Sequence, residues 1–242
     1  MFNTGHIIYI AISFLITLGM IILLLRHCAT DEGHRKAIKA FAVLTVIIHY
    51  SSLWVDFLMQ GEVTVDAPML FPIHPCNVCM WLLLIVAFVK KRETVAFRVV
   101  SEFVFWAGTV CGIIGIVFNE NYGSNPTLAD YGVLKGLLSH STMIMGAVYL
   151  AASKQVRIRV SNTVSVVIGM LLLLVDGLVI NGIYALAGLD ACNSSFCLKP
   201  PSPSYPLSIR LLSVSPHPCC VFSCLCFTRV LFYTSRSGAY SL

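Results

Sequence analysis

The chain has 242 residues, of which 57% are hydrophobic and only 11% are charged. A soluble domain carries about 25% charged residues, so this composition argues against a single water-soluble core and favours lipid as the solvent. The formal net charge of +5 does not indicate nucleic-acid binding, because the lysines and arginines lie in short loops between apolar segments.

Six apolar segments follow one another along the chain, and each is long enough to cross a membrane. A hydrocarbon core of about 30 Å needs roughly 20 helical residues. Lipid offers no partner to backbone N–H and C=O groups, so each segment is predicted to be a helix. The predicted spans are residues 6–25, 38–59, 70–89, 99–118, 134–152 and 164–186. The sequence therefore predicts an all-α membrane protein built as a six-helix transmembrane bundle.

The basic residues lie in alternate loops between these spans. The second and fourth loops, at residues 60–69 and 119–133, contain no lysine or arginine. Lys135, just inside the fifth span, is the one exception to the alternation. The positive-inside rule therefore places the N-terminus, and the segment after the sixth span, on the non-cytoplasmic side. The loops with basic residues in or beside them are residues 26–39, 90–98 and 154–159.

The composition changes after the sixth span. Proline and serine become frequent, and six of the ten cysteines fall there, on a side of the membrane where disulfides can form. Residues 207–232 could be a seventh span, but Arg210 and Arg229 argue against it, since a mid-membrane arginine costs at least about 2.5–3.5 kcal/mol. A translated intron or a shifted reading frame would have a similar composition. We predict a six-span domain at 1–190 and an irregular, disordered tail at 191–242.

Seven polar side chains share one depth in the predicted membrane. Ionisable groups inside a span are costly and often serve function. At about 1.5 Å per helical residue, the topology puts all seven in the outer leaflet, near the non-cytoplasmic surface. A common depth is necessary for one site, although the sequence gives no lateral positions. These residues are Asp56, His74, Cys76, Asn77, His140, Asp176 and Asn181.

The start of the third span is the most specific segment, and it reads Phe-Pro-Ile-His-Pro-Cys-Asn-Val-Cys over residues 71–79. Pro75 removes a backbone donor, and irregular backbone at membrane depth is tolerated only where protein buries it or a wet cavity borders it. A helix that begins here would present free N–H groups to an anion. Cys76 and Cys79 form a CxxC pair, which alone also fits buried apolar filling.

Two further patterns indicate structure rather than chemistry. Gly108, Gly112 and Gly115 are spaced for close packing between helices. Glu102 lies four residues after Arg98, which predicts an ion pair near the cytoplasmic edge.

Three short motifs are shared with a known family. They are His74-Pro75-Cys76 at the start of the third span, Ser139-His140-Ser141 in the fifth, and an outer-half asparagine on the last span followed by Lys199-Pro200-Pro201. Over residues 40–204 the chain resembles the YwaF-like integral membrane family, the family of transmembrane protein 164. It departs from the pattern where Ser141, rather than glycine, follows His140. No Asn-Tyr pair ends the sixth span, so the counterpart is Asn181 or Asn193.

The resemblance implies a phospholipid acyltransferase with a catalytic cysteine and histidine. Those roles would fall on Cys76 and on His140 or His74. Asn77 would help to stabilise an oxyanion, and the supporting residues would include Asp56, Asp176 and Asn181. We therefore predict acyl transfer between membrane lipids through a cysteine thioester, near the exoplasmic leaflet, with no cofactor, no metal and no nucleic-acid partner.

Two alternatives stay open at this point. The first is a zinc-dependent lipid hydrolase with an open water position on the metal. The second is a non-enzymatic transporter or channel that uses the same polar residues as a path. In each case the protein would be multi-pass, and in a eukaryote an internal membrane such as the endoplasmic reticulum is expected. The zinc ligands would be His49, His74, His140 and Asp176.

Overall fold

The computed structural model describes residues 3–62, 72, 74–119, 122, 127–158 and 163–186. Every regular element in those residues is a helix, which confirms the predicted all-α class. The helices are α1 (Thr4–His27), α2 (Asp31–Tyr50), α3 (Ser52–Gln60), α4 (Pro75–Phe88), α5 (Val95–Val117), α6 (Tyr131–Ala152) and α7 (Thr163–Leu186).

Five stretches of helix are long and apolar enough to cross a membrane. They are α1, the α2–α3 stretch, α5, α6 and the part of α7 from Val166 to Tyr184. The third predicted span is shorter than expected, because α4 has 14 residues and begins only at Pro75. The chain is therefore a multi-pass membrane protein, and its described residues form five long apolar helices and one shorter apolar helix that could lie in the membrane.

Local capping explains where most of these helices begin. Asn3, Thr30, Thr94 and Asp130 each accept a hydrogen bond from a backbone N–H in the first turn of the following helix. Such caps typically contribute about 1 kcal/mol each. Helix α4 differs, because it starts on His74 without a side-chain cap.

The chain divides into two compact units, residues 1–157 and residues 158–242, and each is described by itself. The predicted boundary at residue 190 lies outside the described residues. In the first unit, α6 packs against α1, α2, α4 and α5, and most of its side chains are buried. Polar residues on α6 therefore face protein on several sides, and this central helix positions the candidate site. The second unit contributes α7, which contains Asp176 and Asn181.

Glycines allow α5 and α6 to approach closely, as their spacing predicted. A Cβ added at Gly108 would lie 3.3 Å from the Cβ of Ala147, and one added at Gly112 would overlap Ile144. At Gly115 the overlap would be with the imidazole of His140. These three glycines therefore allow the close contact between α5 and α6, and Gly115 also leaves room for the side chain of His140.

The two residues of the predicted ion pair between Glu102 and Arg98 lie in different environments. Glu102 is only 1% exposed on α5, whereas Arg98 is exposed. Four residues of spacing put two side chains on neighbouring parts of a helix surface, but packing against other helices decides which of them is covered.

Candidate functional site

The first turn of α4 holds the cysteine motif in a fixed conformation. His74 is extended, with φ −106° and ψ 151°, and Pro75 occupies the first helical turn, where a missing N–H has no cost. The N–H groups of Asn77 and Val78 donate to the carbonyl oxygen of His74, at 2.9 and 3.2 Å. Cys76 is therefore the second residue of the helix, next to the partial positive charge of its N-terminus.

The environment of His140 determines which of its ring nitrogens carries the proton. Its Nδ1 lies 2.6 Å from the carbonyl oxygen of Gly136. A carbonyl oxygen can only accept, so Nδ1 is the donor, and in the neutral ring Nε2 is left as the basic nitrogen. The ring packs against Gly115 of α5, on its Cδ2–Nε2 edge. Two helices therefore hold both the orientation and the tautomer of this imidazole.

The structure brings together two of the predicted site residues from different helices. The imidazoles of His74 and His140 are close enough to interact electrostatically. His74 precedes α4, and His140 lies in the middle of α6, so this electrostatic interaction relates the cysteine motif to the central helix. Both side chains are half-buried by accessible surface.

The thiol of Cys76 lies among polar and sulfur-containing neighbours. It donates a hydrogen bond to Oδ1 of Asn77, with a donor–acceptor distance of 3.4 Å. It also interacts electrostatically with Cys111 of α5, which in turn makes a side-chain hydrogen bond with Cys79. All three cysteines are unpaired by disulfides. The site therefore contains three thiols from two helices.

The proximity of Cys111 to Cys76 was not predicted from the sequence. It lies seven residues before the end of the fourth predicted span, which is about 10 Å along a helix. Cys79 lies at a similar depth on the third predicted span. The depth argument that grouped the histidines would therefore have grouped these thiols too.

Two acidic residues, Asp56 and Asp176, were predicted to orient a histidine. Asp56 lies half-buried on α3, and no described contact joins its carboxylate to either imidazole. Asp176 and Asn181 lie on α7 in the second unit, so their supporting role stays a prediction. Nδ1 of His140 instead donates to the backbone carbonyl of Gly136, whereas a carboxylate was predicted to orient the ring.

The zinc alternative gains no support from the described part of the chain. Among those residues, no group of three histidine, cysteine, aspartate or glutamate side chains is arranged to hold a metal ion.

A second polar cluster, which we call the lysine cluster, lies where α2 ends and α3 begins. Nζ of Lys135 donates to Oγ of Ser52 at 3.0 Å. The hydroxyl of Tyr131 donates to Oγ of Ser51 at 2.5 Å. The cluster comprises these four residues, and it explains how Lys135 is accommodated inside a predicted span.

One fully buried histidine was also missed, and its contacts are structural. His6 of α1 is 0% exposed, and its Nε2 donates to the carbonyl oxygen of Ile116 at 2.8 Å. Its ring stacks on Tyr122 with centroids 4.4 Å apart. The sequence signal for this residue was a polar side chain at the start of an apolar helix. Its hydrogen bond attaches α1 to α5.

A bundle of long apolar helices with a buried polar centre defines the class of this protein as a multi-pass helical membrane protein. The family model of the TMEM164 family matches residues 1–234, and the chain belongs to that family. The match is wider than the predicted resemblance over 40–204, and it includes the first span and most of the tail. No curated protein and no solved structure was found to match the chain.

Proposed function

We propose that the chain is a lipid acyltransferase in which Cys76 is the nucleophile and His140 is the general base. One observation carries the proposal. The imidazole of His140 is held in one tautomer, with Nε2 as its basic nitrogen, and it interacts with His74 at the start of the helix that carries Cys76. Covalent catalysis by cysteine usually relies on a positioned imidazole that takes the proton of the thiol.

In the first half-reaction, Nε2 of His140 takes the proton of the Cys76 thiol. The thiolate attacks the carbonyl carbon of a lipid ester and forms a C–S bond. When the tetrahedral intermediate collapses, the C–O bond to glycerol breaks and the imidazolium returns its proton to the leaving oxygen. The products are a thioester on Cys76 and a lysolipid.

In the second half-reaction, the hydroxyl of a lysolipid acceptor loses its proton to the same imidazole and attacks the thioester. The C–S bond breaks, a new ester forms, and the proton returns to the thiolate. No net oxidation or reduction occurs, so this chain's side chains suffice for the proton transfers.

A buried thiolate is costly, and two features of the site would offset part of that cost. The N-terminus of a helix favours negative charge. A protonated imidazole beside the thiolate would add the opposite charge. The carboxamide of Asn77 accepts from the thiol through Oδ1, and its Nδ2 group is the donor that would stabilise the oxyanion.

The two imidazoles are proposed to have different roles. Because they interact, protonation of one disfavours protonation of the other, so only one acts as base at a time. Because Nδ1 of His140 donates its hydrogen bond to the carbonyl oxygen of Gly136, Nε2 is left as the proton acceptor. We therefore assign general-base catalysis to His140 and positioning of the α4 start to His74.

The test is acyl exchange by the purified full chain in lipid nanodiscs. A phospholipid with a labelled acyl chain and an unlabelled lysophospholipid are supplied, and product is measured by mass spectrometry. We expect Cys76→Ser to abolish exchange and to lose a labelled protein thioester that hydroxylamine cleaves in the wild type. Cys28→Ser, at the C-terminal end of α1, is the matched control and should be unchanged.

Full turnover by Cys76→Ser would remove the thioester mechanism. If the wild type transfers no acyl group but moves ions or solutes across proteoliposomes, and His140→Ala stops that flux, the transporter alternative replaces the enzyme.

A further inference from the structure

Two arginines, which we call the arginine pair, lie close together at the end of the helices opposite to the candidate site. Arg35 belongs to the first turns of α2, and Arg92 lies in the connection between α4 and α5. Their positive charges are close enough to interact. Arg92 also contacts Gln155, which follows the end of α6 at Ala152. That end is about 18 Å from His140 along the helix, so the arginine pair is separate from the imidazoles and thiols.

The guanidinium group of Arg92 is held in place by its surroundings. Nη1 donates to Oε1 of Gln155 at 2.9 Å, and Nε and Nη2 donate to the carbonyl oxygens of Val89 and Ala87, each at 3.4 Å. The group also lies over the ring of Phe97, 5.5 Å from the ring centroid. A guanidinium has five N–H groups, so these three bonds leave two N–H groups that can donate to a ligand.

Arg35 lacks comparable partners. Its side chain is half-buried, and its Nε is buried with no hydrogen-bond partner among the described residues. Burial and the charge of Arg35 lower the pKa of Arg92, whereas Glu32 acts in the opposite direction. Glu32 is exposed, so water screens its carboxylate. The two guanidinium groups therefore repel each other, and an anion bound between them would replace that repulsion with attraction.

We propose that the arginine pair binds a phosphomonoester group. Guanidinium groups form paired hydrogen bonds with phosphate oxygens. A phosphomonoester carries a charge of about −1.5 to −2 at pH 7, which matches two guanidinium groups, whereas a phosphodiester carries about −1. The ligand is a phosphomonoester, either free in solution or on a lipid headgroup at the membrane surface. This site is independent of the chemistry proposed for Cys76.

The test is equilibrium binding to the purified full chain in a neutral detergent. The probe is a fluorescent short-chain phosphatidic acid, which carries a phosphomonoester. One competitor is short-chain phosphatidylserine, which is anionic but carries a phosphodiester. We expect phosphatidic acid to bind at least about tenfold more tightly than phosphatidylserine, as one additional charged hydrogen bond allows. Equal affinity for the two lipids would overturn the proposal.

A second competitor, glycerol 3-phosphate, identifies the source of the phosphomonoester, because it has no acyl chain. Competition as strong as that of unlabelled phosphatidic acid would identify a soluble phosphomonoester as the ligand. Weak competition would identify a lipid headgroup.

Arg35→Gln should weaken binding of the probe by at least about tenfold, because it removes one of the two charges that contact the phosphate. Lys36→Gln is the matched control, since it makes the same charge change at an exposed residue of the same helix, and it should bind like the wild type. Equal weakening in the two variants would indicate general attraction to a basic surface and would overturn the proposal. Without ligand, Arg35→Gln should keep the melting temperature of the wild type, since Nε has no hydrogen bond to lose.

Glu32→Gln gives a test that does not depend on the stability of Arg35→Gln. The carboxylate of Glu32 competes with the ligand for the arginine pair, so its removal should tighten binding of the probe by up to about fivefold. Glu62→Gln, at an exposed residue after α3, should have no effect. Unchanged or weaker binding in Glu32→Gln would show that the probe does not occupy the arginine pair, and the proposal would be wrong.

Discussion

The imidazole of His140 packs on the backbone of Gly115, at a position where a single methyl group would overlap the ring. A residue without a side chain on α5 therefore determines where the proposed base on α6 can lie. Because the ring is also bound at Nδ1 by Gly136 of its own helix, it has little freedom to move aside.

Gly115→Ala should therefore displace the imidazole and reduce acyl exchange by at least about tenfold, since small misplacement of a catalytic group can cost up to about 100-fold. The matched control is Gly19→Ala on α1, where an added Cβ meets nothing within 4 Å. That control should keep activity and, as a helix-interior Gly→Ala change, gain about 0.5–1 kcal/mol of stability. Equal activity of Gly115→Ala and wild type would mean that the ring is not fixed by this contact.

His140→Asn separates the base from the fold. The asparagine can still donate to the carbonyl of Gly136, but it has no basic nitrogen. Loss of a general base lowers turnover by about 10²–10⁴-fold. We expect acyl exchange to fall by this factor while the melting temperature stays close to that of the wild type. His27→Asn, at an exposed histidine of α1, should show no loss of exchange. A large fall in melting temperature together with activity would instead assign His140 a packing role.

The thiols of Cys79 and Cys111 provide a direct test of the geometry. They share a hydrogen bond across α4 and α5, so a membrane-permeant diazene oxidant, which accepts two electrons and two protons, should link them as a disulfide. Peptide mass spectrometry after digestion should find the Cys79–Cys111 pair in the wild type and lose it in Cys111→Ser. Cross-linking of either residue to Cys28 instead would contradict the helix arrangement.

His6 is expected to stabilise the first unit without taking part in the chemistry. In His6→Ala the buried carbonyl of Ile116 loses its donor, and such an unsatisfied group costs about 1–3 kcal/mol. Thermal unfolding in detergent should show this loss, whereas His27→Ala, at the exposed end of α1, should have little effect. An unchanged melting temperature for His6→Ala would show that the attachment of α1 to α5 does not depend on this bond.

The orientation in the membrane stays a prediction and can be measured by cysteine labelling. In a cysteine-free background, a cysteine at Glu62 should react with an impermeant maleimide from the non-cytoplasmic side. A cysteine at Lys91 should react only after permeabilisation, because its loop is basic. The reverse pattern would place the site in the cytoplasmic leaflet and would contradict the predicted exoplasmic location.

Local sequence signals accounted for much of the fold. Apolar segments of sufficient length located the long helices, and Asn3, Thr30, Thr94 and Asp130 are residue types that favour the helix starts they form. Helix α4 begins at Pro75, five residues after the start of the predicted third span, and proline favours the first turn of a helix rather than its interior.

The sequence by itself determined that this chain is a multi-pass helical protein. It also predicted a common depth for seven polar residues, because hydropathy and helical rise both describe positions along the helix axis. Only the tertiary structure decided which of those residues are neighbours. It brought His140 to Gly115 and to His74, placed Cys111 beside Cys76, and left Asp56 on α3 without a contact to either imidazole. Those outcomes depend on how helices rotate and pack against one another, which is set by contacts between residues far apart in the chain.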